Sequence, residues 1–353
     1  MACDECDRCR ELGYKFCNKC GASLSEDAIR YEETPKVKQE DDVLSKLALP
    51  SVMLIVVAMV ADVILLVANI DVAWEFIYSK TITVYLYFLV DVDIANLTGL
   101  PAQLYVLFLI VCLILACARC FWESRSLFRL DDPDYMDESS KTPIFWLGLL
   151  FGTTTVVELI LTLLLQSSGG GVEIPEWISK MTFEQALISY TRAAVWEEIA
   201  FRMVLFGVPM MIVALAFRQK DFYRYLLGGF GSSKIAIILL ILTTAIFAYA
   251  HVGSWGLWKM VPTMVGGMAM GYMYMRFGIH ASIAVHLITD YMGLFSVTEF
   301  AGLETLWIAG ILMLSLICFP LLFKKTCKGL FKIKGMSFWG FDVSEEGAQN
   351  ESR

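Results

Sequence analysis

Apolar residues fill most of this chain in long runs, and the polar residues between them fall in short clusters. Runs of spanning length lie at 47–70, 101–122, 144–166, 187–217, 234–252, 257–276, 279–298 and 303–323. A helix of about 20 apolar residues crosses the hydrocarbon core of a bilayer. The pattern therefore predicts an all-α polytopic membrane protein with about eight transmembrane helices over residues 47–335. The run at 82–90 is short and flanked by acids, so it is expected at the interface, where Trp74, Tyr85 and Tyr87 are well accommodated. Ahead of the spans stand a cysteine-rich segment at 1–25 and a charged linker at 26–46. A polar tail follows at 336–353.

Composition agrees: 57% of the 353 residues are hydrophobic and 18% are charged. A soluble chain is about half apolar and about a quarter charged, so the excess apolar surface is expected to face lipid. The net charge is -8 and no basic block is dense, which argues against a nucleic-acid partner. The opening MACDECDRCR has no apolar core and no small-residue cleavage site, so no secretory signal peptide is expected.

Lysine and arginine set the orientation. With the N-terminus inside, the inner segments carry Lys36, Lys38 and Lys46, then Arg119, Arg125, Arg129 and Lys141. Arg218, Lys220, Arg224 and Lys234 follow, then Arg276, then Lys324, Lys325, Lys328, Lys332 and Lys334. The outer loops hold Lys80, Lys180 and Lys259. A multi-pass protein of the cell membrane with both termini cytoplasmic is the expectation.

Of the ten cysteines, five lie within the first 20 residues. Cys3-x2-Cys6 and Cys17-x2-Cys20 form two knuckles separated by ten residues, a spacing suited to a closed tetrahedral zinc site. Cys9 competes, because Cys6-x2-Cys9 is also a knuckle. The ending FCNKCG resembles the short zinc ribbons at the ends of many prokaryotic membrane proteins, whose usual gap favours Cys3 and Cys6. So apolar-poor a segment folds on the binding energy of the metal, so a structural zinc is expected, with the ribbon as a candidate docking module for a protein partner. Cys112, Cys117, Cys120, Cys318 and Cys327 lie in or beside apolar runs and read as small apolar filler.

The run around ALISYTRAAVWEEIAFRMVLFG holds Arg192, Glu197, Glu198 and Arg202. An ionisable group at mid-bilayer costs roughly 2.5–3.5 kcal/mol even on the lenient insertion scale, so these groups must pair or face a polar cavity. Glu198 and Arg202 are four apart and share a helix face. Glu197 is rotated from Glu198 by about 100° and meets other neighbours. Two carboxyl groups this close resist joint ionisation. Arg202 is thus expected to hold Glu198 as a structural anion and to leave Glu197 as the base. A helix-packing salt bridge with no chemistry is the bland alternative.

Three histidines occur in the whole chain. His251 ends a long apolar run, with Phe247 one turn before it, and His286 precedes Asp290 by one turn. His280 sits near the inner end of the same run. A glutamate pair, two histidines and an aspartate on three helices outline one polar cavity.

Glu-Glu-x-x-x-Arg (197–202), Phe-x-x-x-His (247–251) and His-x-x-x-Asp (286–290) follow in that order. Together they resemble the three motifs of the CPBP family, the type II CAAX prenyl endopeptidases and their bacteriocin-processing relatives, over about 145–300. The resemblance implies an all-helical intramembrane peptidase acting on a membrane-associated or lipidated peptide. It implies that Glu197 activates water, that His251 positions it, and that His286 and position 290 stabilise the oxyanion. Glu198 and Arg202 would hold the site together. Position 290 is Asp here where many members have Asn, and an ionised Asp cannot donate to an oxyanion; it is either protonated or orients His286. The family has been described both as metalloproteases and as glutamate peptidases. Glu and two His suit zinc, but His-Glu-x-x-His is absent, which favours the metal-free glutamate mechanism. Two other uses of the polar groups compete: a non-catalytic scaffold or immunity protein of the same fold, and a transporter employing Asp62 and Glu158. No repeated halves support the latter.

Overall fold

The computed structural model describes residues 8, 43–87, 90–129, 135–172, 175–297, 301–330 and 333–340. The chain divides into two units, residues 1–46 and 47–353. The zinc-ribbon expectation at Cys3, Cys6, Cys9, Cys17 and Cys20 lies outside the described residues, as do most of the 26–46 linker and the end of the tail.

The first apolar run forms two helices, α1 (Val43–Ala68) and α2 (Ile70–Tyr78). They meet at a 55° bend. There the Asn69 side-chain amide donates back to the Leu65 carbonyl at 2.7 Å, a local side-chain bond that competes with the backbone ladder where the axis turns.

The described residues are mostly helical, as expected, and residues 81–98 add one two-stranded element. The run read as an interfacial segment is a β-hairpin, β1 (Thr81–Tyr87) antiparallel to β2 (Asp91–Thr98), with Thr81 opposite Thr98 and Tyr87 opposite Asp91. The β-branched TITV start and the alternating VDVDI are suited to strands. Ile82, Val84 and Tyr87 are buried. A bulge falls between Val84 and Tyr85. The hairpin is fastened to the glutamate-bearing helix: Trp196 Nε1 donates to the Tyr85 carbonyl at 2.7 Å, and the Tyr87 and Phe201 rings lie 5.8 Å apart.

Helix α3 (Leu100–Glu123) follows, then α4 (Pro143–Ser167), whose first turn is capped by the Thr142 hydroxyl accepting from Phe145 N–H at 3.3 Å. The N-terminal half of α4 is wholly buried, and Gly152 brings it against Cys318: a Cβ there would lie 3.2 Å from the Cys318 Cβ. Small residues at such points let helices approach closely. A continuous helical rod then runs from Phe183 to Ala216. It consists of α5 (Phe183–Arg192), a π-helical segment (Ala193–Gly207) and α6 (Val208–Ala216). Helices α7 (Lys234–Trp255), α8 (Met260–Phe277), α9 (Ile279–Tyr291) and α10 (Ala301–Leu330) complete the membrane domain.

The apolar runs predict about eight spans. Among the described residues, five helices are long and apolar enough to cross a membrane, or six if the bent α1–α2 pair is one span. Helix α8 has 18 residues and ends at Gly278, whose φ of 114° is left-handed; α9 has 13. The apolar run that starts with α9 continues past Tyr291 to 298, so hydropathy alone does not see how short α9 is. Exposed side chains on the long helices are themselves large and apolar, among them Ile64, Leu115, Leu164 and Leu316, as lipid-facing positions require. Cys112, Cys117, Cys120, Cys318 and Cys327 are free thiols, three of them buried, in keeping with apolar filler.

Candidate active site

The π segment carries Glu197, Glu198 and Arg202. Its i→i+5 bonding ends at Val208, whose N–H still reaches the Met203 carbonyl. Pro209 comes next and has no N–H to continue any ladder, so the change back to α geometry falls there. Stretches of π geometry inside helices recur at functional sites.

Glu198 and Arg202 are fully buried and ion-paired, with Arg202 Nε 3.3 Å from Glu198 Oε2. Glu198 Oε1 accepts from His286 Nδ1 at 2.8 Å, and Ser282 Oγ hydrogen-bonds to Glu198 Oε2. Ser282 Oγ also lies 2.8 Å from the Met270 carbonyl. Arg202 Nη2 donates to the Gly267 carbonyl at 3.2 Å, and its guanidinium lies 4.9 Å from the centre of the Phe247 ring. One glutamate therefore ties the π segment to α9, while its arginine ties the segment to α8 and α7. The expected pairing of Glu198 with Arg202 holds.

Gly267 makes this closeness possible. A Cβ there would sit 3.0 Å from Phe247 Cδ1 and 3.1 Å from Thr244 Cγ2, tight enough that the rings beside Arg202 must move. Gly267→Leu is expected to destabilise the membrane domain by about 1–3 kcal/mol through overpacking; thermal unfolding in detergent measures it, and an unchanged midpoint would contradict the contact.

Glu197 has a different setting. Its side chain keeps 16% exposure, and Oε2 lies 3.8 Å from His251 Nε2 and 3.9 Å from His286 Nε2. That oxygen is buried without a hydrogen-bond partner among the described residues. His251 Nδ1 is 2.8 Å from the Phe247 carbonyl. A carbonyl can only accept, so Nδ1 carries a proton, and Nε2 is the ring atom turned toward Glu197. The Phe247 ring stands between the motifs, 4.7 Å from the His251 ring and 6.2 Å from the His286 ring. Asp290 Oδ2 is 3.4 Å from His286 Nε2. The two histidines thus approach one carboxylate oxygen from different helices.

All six expected residues converge. Arg192 does not join them; its guanidinium lies 5.8 Å from the centre of the Tyr85 ring. His280 is held elsewhere, with Nε2 2.9 Å from Glu123 Oε2. Neither Asp62 nor Glu158 has a hydrogen bond or ion pair to the cluster among the described residues. Ser282 and the Gly267 carbonyl were missed by sequence reasoning. Ser282 is four residues before His286, one helical turn on the same face, which is the signal that could have found it.

The donor types, one carboxylate and two Nε2 atoms whose opposite nitrogens donate to a carbonyl and a carboxylate, are those that metal sites use. No group of three or more His, Cys, Asp or Glu side chains among the described residues is positioned to hold a metal ion.

Residues 180–292 match the family model for "Type II CAAX prenyl endopeptidase Rce1-like". The matched stretch begins just before α5, ends just after α9, and contains all six site residues together with Ser282 and Gly267. No curated protein and no solved structure matches the chain. The apolar helices and this match mark a multi-pass membrane protein with a region similar to CAAX-type endopeptidases.

Proposed function

We propose that the chain is an intramembrane endopeptidase that hydrolyses a peptide bond in a membrane-associated or lipidated peptide. The observation that carries this reading is the position of Glu197 Oε2, unpartnered and nearly equidistant from the Nε2 atoms of His251 and His286. A gap of 3.8 Å is too long for a direct hydrogen bond and suits a bridging water. Such a water donates one proton toward Glu197 and the other to the His251 lone pair, leaving its oxygen free to attack. Glu197 takes the proton as general base. The oxygen bonds to the scissile carbonyl carbon, and the proton passes from Glu197 to the departing amine nitrogen as the peptide bond breaks.

His286 faces the other side of Glu197. With protons on both nitrogens it donates Nδ1–H to Glu198 and offers Nε2–H to the developing oxyanion. Asp290, at 3.4 Å from that nitrogen, holds the ring in place. Glu198 and Arg202 fix the framework and take no part in proton transfer. The absence of a His-Glu-x-x-His pattern favours the glutamate mechanism over a metal-dependent one, and no step is assigned to a metal.

In proteoliposomes of the full chain, His251→Ala is expected to lower cleavage of a membrane peptide by about 10²-fold or more, as loss of a water-positioning group does. Asp290→Asn is expected to stay within about tenfold of the parent, because an amide can still hold the His286 ring. Parent-like cleavage in His251→Ala would overturn the assignment of the water.

The distribution of basic segments supports a topology with both termini cytoplasmic. The N-terminal ribbon is assigned one structural zinc, bound by Cys3, Cys6, Cys17 and Cys20 with Cys9 as the competing ligand. The full chain should therefore carry about one zinc that disappears in a version lacking residues 1–25. Chelator should leave cleavage by the shortened chain intact. Activity lost with chelator and regained with zinc would reverse the choice of mechanism.

A further inference from the structure

A cavity of about 300 Å³ lies beside α5, apart from the catalytic cluster. Phe76, Ile82, Trp177 and Ile188 give it apolar walls, and Lys80 and Arg192 stand in the same lining. Lys80 and Trp177 are exposed at its rim, while Arg192 is half-buried. Neither cation has a carboxylate within ion-pair reach among the described residues; Lys80 Nζ is 5.1 Å from the Phe76 ring centre and Arg192 is 5.8 Å from that of Tyr85. Two uncompensated cations over apolar walls fit a ligand that is anionic at one end and apolar along its length.

The surroundings identify the level of the cavity. Trp177 and Trp255 rings lie 5.7 Å apart, Trp255 and Trp258 6.3 Å apart, and Lys259 Nζ is 4.5 Å from the Trp255 ring centre. Tryptophans and lysines grouped at the ends of apolar helices mark the headgroup layer. A basic pocket at that level meets lipid phosphates, and the arginine fork suits phosphate oxygens.

We propose that this cavity is a binding site for an anionic phospholipid, with Arg192 and Lys80 on the headgroup phosphate and the start of an acyl chain along the apolar walls. Arg192 is the last residue of α5, directly before the segment holding Glu197 and Glu198. A bound lipid would therefore restrain the entry to the catalytic segment. The site does not depend on the chemistry at Glu197, so its failure and that of the peptidase reading are separable.

The test is lipid retention by the full-length protein, measured by native mass spectrometry after exchange into detergent containing phosphatidylglycerol or phosphatidylcholine. Phosphatidylglycerol should be retained over phosphatidylcholine. That preference should fall roughly fivefold in Lys80→Gln and roughly tenfold or more in Arg192→Gln, with phosphatidylcholine retention unchanged in both. Equal retention of the two lipids, or a preference untouched by both substitutions, would overturn the site. So would phosphatidylglycerol binding that ignores the substitutions while an acetylated apolar tripeptide with a free carboxylate loses affinity in them; that result would make the cavity a peptide-end subsite.

Discussion

Replacing Glu197 with Gln is expected to reduce peptide cleavage by about 10²–10⁴-fold, the range for loss of a general base. Folding should be left intact. The side chain keeps its shape, and the charge it loses holds nothing together: Oε2 has no hydrogen bond among the described residues, and its nearest titratable neighbours are 3.8 and 3.9 Å away. The variant should therefore unfold at the parent's temperature or slightly above it. Activity measured in proteoliposomes and thermal unfolding in detergent separate the two effects. A variant that cleaves normally would remove Glu197 from the chemistry. One that fails to fold would show that the carboxylate is structural after all.

Arg202→Met should do the reverse. Arg202 and Glu198 are both fully buried, and stripping one partner from a buried pair costs about 3–5 kcal/mol because the other charge is stranded. Methionine matches the stem of arginine and keeps contact with the Phe247 ring, so the loss reports on charge more than on volume. A large drop in unfolding temperature is expected. The double variant Glu198→Gln with Arg202→Met should recover part of it, since no charge is then left unpaired. If Arg202→Met unfolds like the parent, the ion pair does not anchor the site, and the division of labour between the two glutamates fails.

The pairing of Glu198 with Arg202 was legible from spacing alone: four residues put them on one face, and one residue turned Glu197 away. The approach of His251 and His286 to a shared carboxylate oxygen was legible as a motif but not as geometry. The apolar run at 279–298 starts where α9 does but does not show that the helix stops at Tyr291. The π geometry of Ala193–Gly207 leaves no mark in the pattern, because residues that are apolar nearly all round suit either winding. The hairpin at 81–98 was readable, since Thr-Ile-Thr-Val and Val-Asp-Val-Asp-Ile alternate as strands do. The aromatic residues of that run suggested an interface instead. Ser282 escaped because serines are common where membrane helices touch, and nothing in its immediate neighbours singles it out.

The most direct test is a single turnover in water enriched in oxygen-18, using a cleaved membrane peptide and the chain without residues 1–25, freed of metal. If Glu197 acts as general base on water, the new peptide carboxylate carries one heavy oxygen, and Glu197 itself stays unlabelled. A product carrying only light oxygen, with the label in Glu197, would mean direct attack by the carboxylate. No turnover until zinc is restored would contradict the metal-free mechanism altogether.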